Sequence, residues 1–197
     1  MCNLYNNKAS RQEVTAYFKA VDDARDRLTV EKDYVAPGKP GYVVREQDGQ
    51  RTLSVMLWGF PFNGKPVTNV RNYTSPFWKS ALANAERRCL VPVTEFQEWS
   101  VEPMLETGKR KPFWFSQPAQ PIFAFAGIWR PTETDPVFSF LTCGYEGDPA
   151  NHIVGAIHPK ACPVILHEED YDRWLHADLD DVLSLASPFP SQLMAVR

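Results

Sequence analysis

The chain has 197 residues, of which 44% are hydrophobic and 23% charged, and its formal net charge at pH 7 is −3. This composition predicts one globular core and excludes both a disordered chain and a global basic field for nucleic acid. No apolar run approaches the roughly 18 residues of a membrane span, and no secretion signal opens the chain. We expect one cytoplasmic domain over residues 1–197, with its four cysteines reduced.

The first half of the chain predicts short elements separated by turns. In chain order they are a helix over Ser10–Ala20, a solvated loop or frayed helix over 22–33, strands over Tyr42–Arg45 and Thr52–Trp58, a loop over Phe60–Thr68 and a helix over 75–85. Ser10 followed by Glu13 is a capping-box pattern, and Asp48-Gly49 between two alternating runs indicates a hairpin. Pro76 fits the first position of the second helix.

The second half is richer in strands. We predict strands over Cys89–Val93, Phe96–Val101, Phe113–Phe115, Ile122–Trp129, Val137–Thr142 and Pro163–Leu166, a loop over Tyr145–Asn151, and helices over Glu168–Leu175 and Asp178–Leu185. Strands and helices do not alternate, so a parallel sheet is not expected. The pattern favours an α+β protein with a strand-rich core and peripheral helices.

Three residues suggest nucleophilic or acid–base chemistry. Cys2 would carry both a thiol and an α-amine once Met1 is removed, and such a pair condenses with an aldehyde or attacks an amide. His158 is able to exchange a proton near neutral pH. Glu98 shares a strand face with Phe96, so its carboxylate must be paired or have a raised pKa. Taken singly, each is more often a residue without a catalytic role: an accidental cysteine, a structural or surface histidine, or a glutamate that faces water.

A second group of residues suits a nucleic-acid ligand. Asn69 is able to position a developing oxyanion, and Arg71 to grip a phosphate. Lys160, Arg87-Arg88 and the cluster Lys109-Arg110-Lys111 offer further phosphate contacts, and aromatic side chains offer stacking on unpaired bases: Trp58, Phe60, Trp78 and Trp99. The ordinary alternatives are that the basic residues form a solvated face and that the aromatic residues pack in the core. No metal-ligand spacing or nucleotide-binding motif occurs, so we expect neither metal nor cofactor.

In order along the chain, these segments resemble the SOS response-associated peptidase (SRAP) family. The matching elements are Met1-Cys2, Val35-Ala36-Pro37-Gly38, Trp58-Gly59, Asn69-Val70-Arg71, the strand from Cys89 to Glu98-Trp99, Ala126-Gly127-Ile128-Trp129, and Ile157-His158 before Pro163-Val164-Ile165-Leu166. Each element is short, but seven in the same order cover almost the whole chain. The opening Met1-Cys2-Asn3-Leu4-Tyr5 is similar to that of a bacterial and phage subgroup.

The resemblance implies a single α+β domain with a β-barrel-like antiparallel core. It implies covalent capture of abasic sites in single-stranded DNA, during the DNA-damage (SOS) response, as a thiazolidine on the mature N-terminal Cys2. Asn69 would hold the N-terminus, Glu98 would orient or deprotonate the amine, and His158 would open the sugar ring. Arg71, Trp58, Trp99 and Lys160 would contact DNA. The family also implies self-removal of the residue before Cys2, in a monomer without metal.

Two alternatives remain open from the sequence. One is a cysteine peptidase that acts on other proteins through Cys2, His158 and Glu98. The other is a non-catalytic module that binds single-stranded DNA. The chain also departs from many family members at Asn3-Leu4, where they have Gly-Arg and use the arginine to contact DNA.

Overall fold

A computed structural model describes residues 2–23 and 26–197. Its four helices are α1 (Arg11–Phe18), α2 (Pro76–Ala83), α3 (Tyr171–His176) and α4 (Leu179–Leu183). The strands of its first half are β1 (Tyr5–Asn6), β2 (Val21–Asp22), β3 (Tyr34–Val35), β4 (Pro40–Gln47), β5 (Gln50–Trp58), β6 (Phe60–Phe62), β7 (Lys65–Val67) and β8 (Asn69–Val70). Those of its second half are β9 (Arg88–Val93), β10 (Glu95–Pro103), β11 (Arg110–Ser116), β12 (Phe123–Arg130), β13 (Val137–Cys143), β14 (Cys162–Pro163), β15 (Ile165–Leu166) and β16 (Ala195–Val196).

The larger sheet closes on itself only in part. Antiparallel pairing runs from β13 through β12, β9 and β4 to β5. β5 then returns to β13 through two parallel residue pairs, Val137 with Leu57 and Phe138 with Trp58. Further parallel pairs join β8 to β13 and β2 to β5. The α+β class is therefore confirmed, with a partial barrel whose sheet is mixed and mostly antiparallel.

The smaller sheet has the order β16-β11-β10-β1-β3 and packs against the larger one. Aromatic rings from both sheets meet between them. The Tyr5 ring contacts Trp58 and Phe125 edge-on, at centroid distances of 5.2 Å and 6.1 Å. Phe96 meets Phe125 at 5.6 Å. This shared apolar layer stabilises the N-terminal strand β1 between β10 and β3, because a strand of two residues is not stable alone.

Local sequence signals explain the first helix and the first hairpin. Ser10 accepts from the backbone N–H of Glu13, and the Glu13 carboxylate accepts from the backbone N–H of Ser10, so the predicted capping box is present. Asp48 and Gly49 both have positive φ, as a tight hairpin turn requires, and they join β4 to β5.

The segment Phe60–Thr68 was expected to be a loop, and this was wrong. It contains the hairpin β6–β7, whose turn is Asn63-Gly64 with φ of 49° and 74°. An Asn-Gly turn is a strong hairpin signal, but the flanking Pro61 and Pro66 favoured the loop interpretation. The hairpin folds Pro66 back so closely on Gly59 that any side chain there would collide with it.

Several predicted boundaries differ from the structure. The C-terminal helices are shorter than expected, because the stretch over Glu168–Asp170 is a 3₁₀ turn and α4 ends at Leu183. The predicted strand Pro163–Leu166 is split into β14 and β15, which pair with different partners. The expected loop over 22–33 contains residues 24 and 25, which lie outside the described residues, and it begins with β2. Among the described residues, no helix is long and apolar enough to cross a membrane.

Candidate active site

The N-terminal segment brings Cys2 into the interior. β1 pairs with β10 through Tyr5 and Phe96, and the backbone N–H of Gln97 donates to the carbonyl oxygen of Leu4 at 3.0 Å. Cys2, just ahead of this strand, is completely buried. Its Sγ lies 3.5 Å from the carbonyl oxygen of Leu4. The segment before β1 is therefore held along β10, the strand that carries Glu98.

Asn69 holds Cys2 from the other side. It begins β8, which is fixed by parallel pairing with β13. Its Nδ2 donates to the carbonyl oxygen of Cys2 and to Oγ1 of Thr68, both at 2.8 Å. Oδ1 of Asn69 is buried and has no hydrogen-bond partner among the described residues. A buried acceptor of this kind is suited to an N–H or O–H donor that arrives with a ligand or with a processed N-terminus.

Glu98 and His158 lie together beside Cys2. Oε2 of Glu98 is 3.7 Å from Nδ1 of His158, and the two side chains are 2% and 14% exposed. The His158 segment is held by the Tyr145 hydroxyl, which donates to the carbonyl oxygen of His158 at 3.0 Å. An imidazole N–H also bonds to the backbone of Trp99. The fold thus brings together residues that lie far apart in the chain.

Burial reverses the ordinary protonation order of this pair. It raises the pKa of Glu98 to about 7 and lowers the pKa of His158 to about 4. In both cases the apolar surroundings disfavour the charged form. At neutral pH the imidazole is therefore neutral, and the carboxyl group titrates. The sequence suggested both residues for acid–base chemistry, and burial favours Glu98 as the one that titrates near neutral pH.

The thiol of Cys2 is also kept protonated. Burial raises its pKa well above the ordinary value, and the negative charge of Glu98 raises it further. A thiolate is the reactive form of cysteine, so reaction at Cys2 needs a base close by. When Glu98 is protonated, the repulsion that it exerts on a thiolate disappears. The two groups are thus electrostatically coupled in a way that suits proton transfer between them.

The predicted DNA contacts divide into exposed and buried residues. Arg71 and Lys160 are exposed, and Trp99 is 37% exposed. Trp58, by contrast, is fully buried, stacks on Phe140 at 5.1 Å and donates from Nε1 to the carbonyl oxygen of Thr68. The predicted contact of Trp58 with a DNA base is therefore wrong for this conformation, because the ring is part of the core. Phe60 and Trp78 are buried as well.

Arg110, which the sequence identified only as part of a basic cluster, acts electrostatically on the site. The charge of Arg110, like that of Lys160, acts on His158 and helps to keep its pKa low, although burial has the larger effect. Arg110 begins β11, at a register position opposite Pro103 of β10. The sequence showed only a basic cluster before a strand, and the pairing of β10 with β11 brings it to the site.

Comparison with known proteins gives the family. A family model described as "SOS response associated peptidase (SRAP)" matches residues 1–197. Two curated relatives from Bacillus subtilis are named "Abasic site processing protein". YoqW is 27% identical over 176 residues, covering 81% of this chain and 75% of YoqW. YoaM is 24% identical over 200 residues, covering 90% of this chain and 86% of YoaM.

Solved structures agree with the fold. A crystal structure of a Bordetella bronchiseptica protein superposes with a TM-score of 0.76 at 22% identity, over 99% of this chain and 98% of that chain. One from Bacteroides thetaiotaomicron gives a TM-score of 0.77 at 20% identity, over 99% and 90%. With the family model spanning the chain from end to end, this protein belongs to the SOS response associated peptidase family.

Proposed function

We propose that the protein captures abasic sites in single-stranded DNA by a covalent bond to Cys2, after Met1 has been removed. One observation carries the proposal. The Asn69 amide donates a hydrogen bond to the backbone of Cys2, next to the buried Glu98 and the half-buried His158. Family membership and the names of the Bacillus relatives support an abasic site as the target.

The chemistry requires a free α-amine and thiol on one residue. The ring-opened sugar of an abasic site carries an aldehyde. The Cys2 amine adds to its carbonyl carbon, and loss of water gives an imine. The thiol then adds to the imine carbon, and its proton passes to the nitrogen to complete a thiazolidine ring. An amine with an ordinary pKa near 8 is partly neutral at pH 7, so the proton transfers become the steps that need help.

Glu98 is the proposed proton carrier. A carboxyl group with a pKa of about 7 gives and takes protons with similar ease at neutral pH. It takes the proton that leaves the amine or the thiol, and it returns a proton to the departing water. In this proposal His158, neutral at this pH, passes a proton between Glu98 and the sugar ring oxygen. This assigns ring opening to the pair rather than to a charged imidazole.

DNA binding is proposed at the rim of the site. Arg71 directly follows β8, which carries Asn69, and Lys160 lies two residues after His158. We propose that these two cations, with Arg110, contact phosphates, and that the exposed ring of Trp99 stacks on a base. A few local cations suit a short single-stranded site on a chain of net charge −3.

Removal of Met1 is part of the same proposal. Met1 lies outside the described residues, and hydrolysis of the bond between Met1 and Cys2 would release the amine. The position of Cys2 favours a reaction on its own chain over cleavage of other proteins, because its thiol directly adjoins the bond between Met1 and Cys2. The trans-acting peptidase is therefore the weaker candidate.

The test combines purified protein with single-stranded DNA that carries one abasic site. Denaturing gels and intact mass are read for the wild type, Cys2→Ala and Cys89→Ala. Cys89 is a matched control because its thiol is equally buried and lies in the core strand β9. We expect an adduct from the wild type lacking Met1 and from Cys89→Ala, and none from Cys2→Ala. An adduct that persists in Cys2→Ala would refute the proposal.

A further inference from the structure

Two cysteines outside the proposed catalytic set face one another across β13 and β14. Cys143 and Cys162 are opposed in the antiparallel register, and their Sγ atoms are 3.6 Å apart. Both are free thiols. Opposed residues of an antiparallel pair have Cα atoms about 4.5–5.5 Å apart, which lies within the range that disulfides span. The backbone therefore already has the spacing that a disulfide requires.

Cys143 differs from the other buried cysteines in its pKa, and the pKa of its partner Cys162 is raised by the hydrogen bond between them and by burial. Cys89 has a raised pKa because of burial, and this makes it unreactive. The pKa of Cys143 is instead lowered, mainly because the Cys162 thiol hydrogen-bonds to it, and the charge of Arg71 acts in the same direction. Cys143 is thus the sulfur that loses its proton more readily, and Cys162 lies opposite it, with the two Sγ atoms 3.6 Å apart, within reach for a second step.

The cysteine pair lies next to an exposed position of the chain. Cys143 ends β13 and is 6% exposed, and the next residue, Gly144, is exposed. Cys162, its partner in the register, is 3% exposed. Because both thiols are nearly buried, a small peroxide is a better-suited oxidant than a protein.

We propose that Cys143 and Cys162 form a reversible intramolecular disulfide when a peroxide oxidises them. The Cys143 thiol gives up its proton, the thiolate attacks one oxygen of hydrogen peroxide, and the O–O bond breaks. The departing hydroxide takes up that proton and becomes water, and Cys143 is left as a sulfenic acid. The Cys162 sulfur then attacks the Cys143 sulfur, the S–O bond breaks, and the hydroxyl group leaves as water with the Cys162 proton. Overall the two thiols lose two electrons and two protons, and one peroxide becomes two waters. A dithiol reductant reverses the reaction.

The disulfide would constrain the segment that carries His158. The new bond closes a loop from Cys143 to Cys162, which contains both Tyr145 and His158. Tyr145 already holds the carbonyl oxygen of His158. Oxidation would therefore tether this segment at both ends. We expect slower amide hydrogen exchange over residues 144–161 in the oxidised chain, because opening of the loop becomes restricted.

The experiment treats the full chain carrying Cys2→Ala with a small molar excess of hydrogen peroxide, so that the site thiol does not compete. After catalase treatment and alkylation, intact mass and a non-reducing peptide map are recorded. We expect a mass lower by two hydrogen atoms, one linked peptide pair joining Cys143 to Cys162, and reversal by dithiothreitol. Adding Cys89→Ala should change nothing, whereas adding Cys143→Ala or Cys162→Ala should abolish the linked pair.

Other outcomes overturn the proposal. They are sulfinic or sulfonic acid on Cys143 without a linked pair, a disulfide between two chains, or two thiols that remain fully reduced. Because the peptide map on the Cys2→Ala chain does not depend on the Cys143 and Cys162 variants, poor folding of a variant does not affect the conclusion. Unchanged hydrogen exchange over 144–161 in the linked chain would refute the tethering. None of these measurements involves DNA, so they stand apart from the proposed capture reaction.

Discussion

β9 and β10 follow one another in the chain and bury different kinds of side chain. All six residues of β9 are buried, and after Arg88 they are the apolar run Cys89–Val93, paired with β12 along its length. The first four residues of β10 are also buried, yet three of them are polar: Glu95, Gln97 and Glu98. Apolar burial stabilises a fold, whereas polar burial costs free energy unless it is compensated. The molecule thus separates an apolar, stabilising strand from the strand that carries Glu98, the proposed proton carrier.

The same contrast appears within β10 itself. Burial works against the charge of Glu95, but hydrogen bonds and ion pairs from Lys8 and Arg197 outweigh it, so its pKa is lowered. Three residues later, burial dominates and the pKa of Glu98 rises to about 7. Two glutamates on one strand therefore differ in role: Glu95 fixes the ends of the chain as an anion, and Glu98 is left able to exchange a proton.

The largest expected effect comes from replacing Glu98. Glu98→Gln keeps the shape and removes the titrating proton, so we expect the rate of adduct formation with abasic DNA to fall about 10²–10⁴-fold, the usual contribution of a general acid–base group. The free energy of unfolding should stay equal or rise, because a buried acid has been replaced by a neutral amide. Single-turnover rates and urea unfolding measure both. Glu95→Gln is the matched control, and an equal rate loss there would contradict the distinction between the two glutamates.

Truncation of a core side chain in β9 should give the opposite result, a loss of stability without a loss of rate. Leu90 is fully buried, opposite Ala126 of β12 and Val44 of β4. Leu90→Ala is expected to lower the free energy of unfolding by about 2–5 kcal/mol through lost burial and a cavity. The adduct rate per folded molecule should not change. Leu105→Ala, at a completely exposed side chain, controls for the substitution and should leave stability unchanged.

The smallest effect is a pH dependence of stability. With a folded pKa of about 7, Glu98 binds more protons in the folded chain, so its contribution to stability falls as pH rises from about 4.5 to 7. His158, with a folded pKa of about 4, binds more protons in the unfolded chain, so its contribution rises between about 4 and 6.5. The two slopes oppose each other and largely cancel in the wild type.

Single replacements should expose each slope in turn. As pH rises from 4.5 to 6.5, the free energy of unfolding of Glu98→Gln should rise by about 1–3 kcal/mol relative to that of the wild type. Over the same range, that of His158→Gln should fall by a similar amount relative to the wild type. Urea unfolding at the two pH values gives the difference. Parallel pH profiles for the wild type and both variants would show that the two groups do not have the shifted pKa values described.

Much of the local structure was predictable, and the assembly was not. The capping box of Ser10 and Glu13 and the Asp48-Gly49 turn act within a few residues, so the sequence reveals them. The pairing of β1 with β10, and of β8 with β13, depends on distant partners. Only a resemblance to known proteins suggested that the four candidate residues would meet.

Burial was the other unpredictable property. The sequence could not tell the core ring of Trp58 from the partly exposed ring of Trp99, because both follow alternating strand patterns. It also could not show that Glu98 rather than His158 titrates near neutrality. That order follows from desolvation, which is a property of the packed surroundings and not of the residue type.

The order of the smaller sheet has a practical consequence. β16 and β1 are separated by only two strands, β11 and β10, so the two ends of the described fold lie about 15 Å apart. A short flexible linker could join them, with new ends opened at the exposed turn around Gly108. Such a circular permutant would keep the thiol, the glutamate and the histidine in place, but Cys2 would no longer carry an α-amine. It would separate the contribution of the pocket from that of the chain terminus within one unchanged fold.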